Sequence, residues 1–485
     1  MSNWPATVTL NLQGRRLSVL LDDFEATLEH VRTYSKPSEL KITDMRFVDL
    51  AGAPMHCTLV KIYTNQGITG IGELRDFGSR TYAAMLKGRL LGENPCNVDK
   101  LFRRIKQFMG PGRQAGGVAG IEIALWDLAG KAYGVPVYQM LGGKFRDEIR
   151  AYCDLGVNTP GLKSDGYSMG RRLKQFVDNY GFTMVKAVLG VEGLQVRYPD
   201  EVLISAPGDY IEQHVQAARY SFEYIKHHRD MPYGPEFQRR NRAFDVVNTQ
   251  SPYVMYRITD QGLDRYEEEV ARMREILGNK IPLAIDHLGY LNVEDAARLL
   301  RRLEKYNLLW AEDVLPCTYT EEYKRLRQLT STPLATGEDL STLESFEGLI
   351  FNRAVPIIHP DICSSGIYET KKIGDLAQRY HIAMAVHMCE TPVAALATAH
   401  MGVATENFVA TEFNAPDVPW WNDIITGHSG SVIENGFITV SDKPGLGFDD
   451  VNDEVIKDHL MHGFPDMWAP TEHWNIEYSN DRLFS

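Results

Sequence analysis

The sequence predicts an α/β fold: a parallel barrel of the (β/α)8 type, preceded by a smaller α+β domain. Three observations point there. Short apolar runs end at Asp286, Glu312, Glu338, Asp361, His387 and Glu412, at intervals of roughly 25 residues, the length of one strand, one helix and two loops. Similar runs end earlier, at Asp154 and Lys186, which brings the strand complement to that of a closed barrel. A doubly wound sheet would usually carry a Gly-rich turn after its first strand, and neither Gly142-Gly143 nor Gly190-Val191-Glu192-Gly193 fits GxGxxG.

The composition agrees with such a fold. The chain has 485 residues, room for two or three domains. Its 44% hydrophobic and 24% charged content excludes a disordered or collagen-like chain and a small disulfide scaffold. A net charge of −13 without a basic run argues against a nucleic-acid partner. No apolar run reaches the ~18–20 residues that span a bilayer. Met1-Ser2-Asn3-Trp4-Pro5 lacks the layout of a signal peptide. Cys57, Cys96, Cys153, Cys317, Cys363 and Cys389 are scattered without a CxxC pair. A cytoplasmic protein with reduced thiols is therefore expected.

The elements follow in order. Residues 1–40 are polar and weakly patterned, an N-terminal extension. Residues 41–148 form the α+β domain. Within it, 58–64 is a strand by its β-branched content, Asn65-Gln66-Gly67 a turn and 68–73 the returning strand. A helix over 117–133 follows from the spacing of Ile121, Leu125, Leu128 and Ala132. Residues 149–413 form the barrel. Its rhythm breaks between Lys186 and Asp286. That interval holds a helix near 210–227, a polar loop through Arg239-Arg240-Asn241-Arg242, and a helix near 263–277 that is the expected crossover. The remainder, about 191–255, is an insertion after strand two. It is expected to hang over the face where barrel active sites are built, or else to serve as an oligomer contact. Residues 414–485 form a C-terminal segment.

The strand ends carry the chemistry. Pro282-Leu283-Ala284-Ile285 leads to Asp286, Leu308-Leu309-Trp310-Ala311 to Glu312, and Pro333-Leu334-Ala335-Thr336-Gly337 to Glu338. One such carboxylate alone reads as a helix cap or first-turn charge. Three at the same point of successive βα units converge at one end of a barrel, where bare carboxylates repel. A divalent cation relieves that repulsion, and an all-oxygen ligand set points to Mg²⁺, with Mn²⁺ second. His359-Pro360-Asp361 closes the next strand, and Ile382-Ala383-Met384-Ala385-Val386 leads to His387. On adjacent strands Asp361 can orient the imidazole and raise its basicity. His359 and His381 share these runs but do not sit at the strand tip. Glu412 ends the last strand, in Val409-Ala410-Thr411-Glu412-Phe413-Asn414.

These carboxylates, with Pro360-Asp361-Ile362-Cys363-Ser364-Ser365-Gly366-Ile367, His387 and Thr411-Glu412-Phe413, resemble the enolase superfamily, mandelate racemase subgroup. Gly120-Ile121-Glu122-Ile123-Ala124-Leu125-Trp126-Asp127 and Pro136-Val137-Tyr138-Gln139-Met140-Leu141-Gly142-Gly143 are similar to the end of that family's capping domain, and Asp442-Lys443-Pro444-Gly445-Leu446-Gly447 to its returning tail. The resemblance covers roughly residues 41–449. It implies a (β/α)7β TIM-type barrel with an α+β capping domain, and abstraction of the proton α to a carboxylate with Mg²⁺ stabilising the enediolate; this superfamily is itself a worked case of a Lys or His base with Mg²⁺. Carried over by position, Asp286, Glu312 and Glu338 bind Mg²⁺, His387 with Asp361 is base or acid, and Glu412 donates a hydrogen bond to a substrate carboxylate oxygen.

Two departures shape the expected reaction. Racemases of the subgroup commonly end strand two with Lys-x-Lys; here Lys186 is followed by Val188 in the second place. That favours dehydration of an acid sugar (aldonate, uronate or aldarate) to a 2-keto-3-deoxy acid, with His387 taking the α-proton and assisting loss of the 3-hydroxyl. An epimerase or cycloisomerase on the same intermediate, and a barrel that binds a sugar acid without turnover, are the alternatives. The stretch 181–194 also resembles the mannonate dehydratase branch, where an Arg on strand two pairs with a Tyr twelve residues later. The matching positions are Lys186 and Tyr198, and Lys for Arg loses the guanidinium fork; Tyr198 is either a base beside the Lys186 cation or a lid aromatic. That branch expects a His where Leu288 stands, with His287 beside it. Arg75, Asp76 and Arg80 follow the capping hairpin, where the family places specificity residues, and contact substrate or form a solvated loop; Trp420-Trp421 wall the pocket or pack on the capping domain; Asp313 orients a neighbour or caps a turn. His287, Arg75 and Trp420 join Lys186 and Glu412 as candidate substrate contacts. A symmetric homo-oligomer is expected on general grounds.

Overall fold

The computed structural model describes residues 7–12, 15–20, 36–110, 112–155, 165–205, 257–286 and 291–477. Its central sheet is built from β1 (Glu148–Leu155), β2 (Val185–Val188), β3 (Leu283–Asp286), β4 (Ala311–Glu312), β5 (Leu334–Thr336), β6 (Ile357–Ile358), β7 (Ala383–Val386) and β8 (Phe408–Phe413). Each pairs in parallel with the next, and β8 pairs with β1, so the sheet closes into a barrel. Helices cross back between strands, as the interval of roughly 25 residues requires.

Strand alternation fixes what the barrel presents at its end. Tyr152, Ala284, Trp310, Ala385 and Ala410 stand two residues before Asp154, Asp286, Glu312, His387 and Glu412, hence on the same face. With Met184 and Ala335 they form one buried cluster in which three bulky side chains interlock with four alanines. Tyr152 meets Trp310 edge to face at 5.5 Å. The alternate positions, among them Val185, Ile285, Ile358 and Val386, point outward into the larger core shared with the helices.

The capping domain is an antiparallel sheet of Ile42–Leu50, Cys57–Thr64 and Thr69–Glu73 against the helix Gly116–Tyr133. Glycines let strand and helix touch: a Cβ on Gly72 would lie 2.0 Å from the Gly120 carbonyl oxygen. Two acidic residues of this domain cap barrel helices. Glu73 accepts from the Thr391 and Ala394 amides and the Thr391 hydroxyl, at the start of Pro392–Val403. Glu122 accepts from the Ile367 and Tyr368 amides, at the start of Ile367–Arg379. Both satisfy orphan helix donors across the domain boundary.

The outer segments are partly structured. Thr7–Leu12 pairs with Arg15–Leu20 within the stretch read from sequence as a weakly patterned extension. After β2 a short helix, Val191–Arg197, leads to Ile204–Ser205, which pairs with Arg257–Ile258. The helix expected at 210–227, the loop at 239–242 and His287 lie outside the described residues. The crossover helix is Asp260–Leu277, opened by a Thr259 hydroxyl that accepts from the Gly262 amide. The C-terminal segment returns first to β1, through Phe437–Thr439, and then to the capping domain. There the Met461 amide bonds Asp49, the Trp468 amide bonds Phe47, and the buried Lys87 ammonium reaches Thr471. No helix among the described residues is long and apolar enough to cross a membrane.

Candidate active site

Asp286 and Glu312 are the last residues of β3 and β4. Glu338 lies two residues beyond β5, reached through Gly337 at φ +136°, where an added Cβ would lie 2.6 Å from the Phe346 ring. That turn brings the third carboxylate back to the other two. One oxygen from each lies within 4.8 Å of the others, and all three residues are buried. Lys186 on β2 reaches up among them: its Nζ is 2.6 Å from Asp286, 2.8 Å from Glu312 and 3.0 Å from Glu412.

The electrostatics follow from crowding. Burial, and then the Asp286 charge, push the Glu312 carboxyl well above the usual carboxylate range, with Lys186 pulling the other way. Burial opposes the Lys186 charge, yet Asp286, Glu312 and Glu412 together hold that ammonium well above its ordinary range. It is a fixed cation. Lys186 at Asp286 and Glu312, with the Arg75 guanidinium at Glu338, leaves the three carboxylates short of positive charge. The oxygen-only donor set is what a hard divalent cation requires, and the residues present fit one.

Asp361 and His387 meet through a parallel backbone bridge, and the His387 amide donates to the Pro360 carbonyl. His387 Nδ1 lies 2.8 Å from Asp361 Oδ2, which leaves Nε2 turned toward Glu338 at 3.5 Å and Glu412 at 3.9 Å. Burial, then the Arg75 and Lys186 cations, hold the imidazole well below its usual range, so it rests neutral; contrary to the sequence expectation, Asp361 orients the ring without making it more basic, because burial and the two cations outweigh it. On β8, Glu412 Oε2 accepts from Lys186 and, at 3.2 Å, from the Tyr152 hydroxyl. Burial pushes its carboxyl well above the ordinary range despite Lys186, which suits a group that carries a proton and donates it.

Arg75 is wholly buried and enters the site from the capping domain. Its guanidinium contacts Asp361 at 2.6 Å, Asp76 at 3.1 Å, Glu338 at 3.3 Å and Glu390 at 3.4 Å, and it abuts His387 Nδ1. Arg80 turns away, to Asp49 and over the Phe47 ring. Asp313, at φ 45°, accepts from the Thr336 hydroxyl.

Two candidates stand elsewhere. The Tyr198 hydroxyl donates to Glu269 at 2.6 Å, and the Arg265 guanidinium lies over its ring. Both partners belong to the crossover helix, and Tyr198 is not among the partners of Lys186. Burial and Glu269 push the phenol up to about 12, the opposite of what a base requires. Trp420 stacks on His459 at 3.7 Å. Its neighbour Trp421 is the inward residue, edge-on to Phe413 and donating to the Glu390 carbonyl.

Sequence reasoning passed over the groups behind the carboxylates. Trp310 donates to Glu312 at 2.8 Å, and His359 bridges the Tyr152 hydroxyl and Glu312, at 2.8 Å and 3.2 Å. Strand alternation could have found Trp310, two residues before Glu312. Tyr152 needs the register Glu412↔Tyr152 between β8 and β1, which no local pattern shows.

A closed parallel barrel with carboxylates on three successive strand ends, roofed by an α+β domain, defines an enolase-type enzyme. The model of the enolase C-terminal domain-like family matches residues 237–454, and that of the mandelate racemase / muconate lactonizing enzyme N-terminal domain matches 29–142. The chain belongs to this mandelate racemase/muconate lactonizing enzyme family of the enolase superfamily. A D-xylonate dehydratase of Haloferax volcanii is 30% identical over 84% of this chain and 85% of its own length. A D-galactonate dehydratase of Xanthomonas campestris pv. campestris is 26% identical over 86% of this chain and 94% of its own. Among solved structures, a mandelate racemase/muconate lactonizing enzyme-like protein from Rubrobacter xylanophilus DSM 9941 superposes with a TM-score of 0.69 at 27% identity, covering 88% of this chain and 98% of that one.

Proposed function

We propose that the protein is a sugar-acid hydro-lyase. It acts on an aldonate, uronate or aldarate, removes the proton α to the carboxylate and expels the 3-hydroxyl as water, giving a 2-keto-3-deoxy acid. Names borne by relatives support the reaction class: D-xylonate and D-galactonate dehydratase. The observation that carries it is the state of Lys186. With Nζ within 3.0 Å of three carboxylates, it is a held cation and not a second base. Val188, the next inward position on β2, brings no titratable group. Racemisation needs a proton acceptor on each face of the α-carbon; elimination can proceed with one group that takes a proton and returns it.

In this reading Asp286, Glu312 and Glu338 would hold Mg²⁺, which would supply positive charge to offset the negative charge that builds on the substrate carboxylate. The chain's own residues do the rest. His387 Nε2 accepts the α-proton while Asp361 holds Nδ1 and supports the imidazolium. The same Nε2 then delivers that proton to the departing 3-hydroxyl. Glu412 donates a hydrogen bond to a carboxylate oxygen, and Lys186 keeps Glu412 in place and adds its charge. Arg75, anchored by Glu390 and Asp76, closes the pocket from the capping side and contacts substrate oxygens.

Proton NMR in D2O with Mg²⁺ tests this against a library of hexonates, pentonates, uronates and aldarates. Loss of the C2 and C3 signals with a new 3-deoxy pattern is the expected result. Exchange of the C2 proton with the carbon skeleton intact would replace dehydration with epimerisation.

A further inference from the structure

On the Nε2 side of His387 stands a donor that the proposed reaction leaves unused. Cys389 Sγ lies 3.2 Å from His387 Nε2, and Glu412 Oε2 lies 3.9 Å from the same nitrogen. One ligand atom from each of the three lies within 4.8 Å of the others, and all three residues are buried at the barrel rim. In a tetrahedral site with Zn–S near 2.3 Å and Zn–N or Zn–O near 2.1 Å, ligand atoms stand about 3.4–3.6 Å apart, so the 3.2 Å and 3.9 Å edges at Nε2 lie about half an ångström from those of a filled site. The orienting partner that a metal-bound imidazole needs is already present, Asp361 on Nδ1 at 2.8 Å. Glu412 Oε2 also accepts from Lys186 and Tyr152, so the carboxylate is fixed. The sulfur–nitrogen–oxygen set differs in kind from the all-oxygen set of Asp286, Glu312 and Glu338.

We propose that His387, Cys389 and Glu412 form a second cation site, selective for a soft divalent ion such as Zn²⁺ or Cd²⁺, whose filling stops turnover. Binding makes one bond to each ligand, and the thiol proton and the proton held by Glu412 leave to water. A cation on Nε2 removes the lone pair that would take the α-proton. Mg²⁺ does not displace it, because hard cations avoid thiolate. The inhibition rests on His387 as the proton acceptor; the binding does not.

The test is CdCl2 titration of the full-length protein in excess Mg²⁺, followed by the ultraviolet thiolate-to-cadmium charge-transfer band. One equivalent should develop the band in the wild type and in Cys363→Ser, and not in Cys389→Ser. Anomalous diffraction from cadmium-soaked wild-type crystals, which needs no variant, should place a peak between Cys389 Sγ and His387 Nε2. Stoichiometric ZnCl2 should cut wild-type turnover by roughly 10²-fold or more, the size of a lost proton acceptor, with recovery on chelation. A band that survives in Cys389→Ser, or a cadmium peak found only among Asp286, Glu312 and Glu338, overturns the site. A full band with undiminished turnover upholds the site and overturns the role given to His387.

Discussion

Replacing Lys186 by Met removes the one ammonium shared by Asp286, Glu312 and Glu412 while keeping the side chain's length. At an effective dielectric of about 20, a contact near 2.8 Å contributes about 6 kcal/mol before desolvation. Much of that is offset, because the lysine no longer has to be buried charged. What remains is the cost of stranding buried carboxylates, about 3–5 kcal/mol for a broken buried pair. At about 1 °C per kcal/mol for a chain of 485 residues, the melting temperature in EDTA should fall by about 3–5 °C. Magnesium should return part of the loss, about 2.7 kcal/mol at a hundredfold excess over its Kd. Thermal melts of both proteins, with EDTA and with Mg²⁺, measure both quantities. A variant that melts in EDTA within ~2 °C of the wild type would show that Lys186 does not hold the carboxylates together.

Three further outcomes are expected. His387→Asn keeps a donor for Asp361 but no proton acceptor, so kcat should fall by roughly 10²–10⁴-fold while Mg²⁺ affinity by calorimetry stays unchanged; wild-type activity would sink the dyad. Burial raises the Glu122 carboxyl from 4.5 to about 7. Its share of stability, on the order of 3 kcal/mol, is therefore full below pH 4.5 and lost as pH rises through about 7. Urea unfolding of Glu122→Gln should show a flatter pH dependence across that window, and an unchanged slope would contradict the assignment. Gly72→Ala puts a methyl 2.0 Å from the Gly120 carbonyl oxygen, so strand and helix must part, costing about 1–3 kcal/mol; a variant as stable as the wild type to urea would refute that packing.

How much of this was legible depends on whether the signal was periodic. Run ends at Asp286, Glu312, His387 and Glu412 mark strand tips because parallel βα units repeat, and the structure brings those side chains together with Asp361, which lies beyond Ile357–Ile358 and meets His387 by a backbone bridge. Glu338 lies past its strand, and only the Gly337 turn returns it. Tyr198 shows the limit of counting along the chain. Twelve residues from Lys186 include the helix Val191–Arg197, and that helix carries the ring to Glu269 and Arg265. Trp420 and Trp421 differ by one position, and only tertiary packing decides which faces inward. The Arg75–Glu390 contact joins positions far apart in sequence, where no window could see it.

The caps at Glu73 and Glu122 bear on how such proteins can be recombined. A barrel cut free at Glu148 would present Pro392–Val403 and Ile367–Arg379 without the carboxylates that satisfy their first amides. A roof borrowed from a relative would work only if it arrived with acids at those two positions. The roof also carries Arg75, two residues beyond Glu73, so one short strand delivers a helix cap and a pocket wall together. If Arg75 contacts substrate as proposed, substrate preference and barrel integrity are inherited as a single parcel, and grafting one without the other trades a change of specificity for a loss of fold.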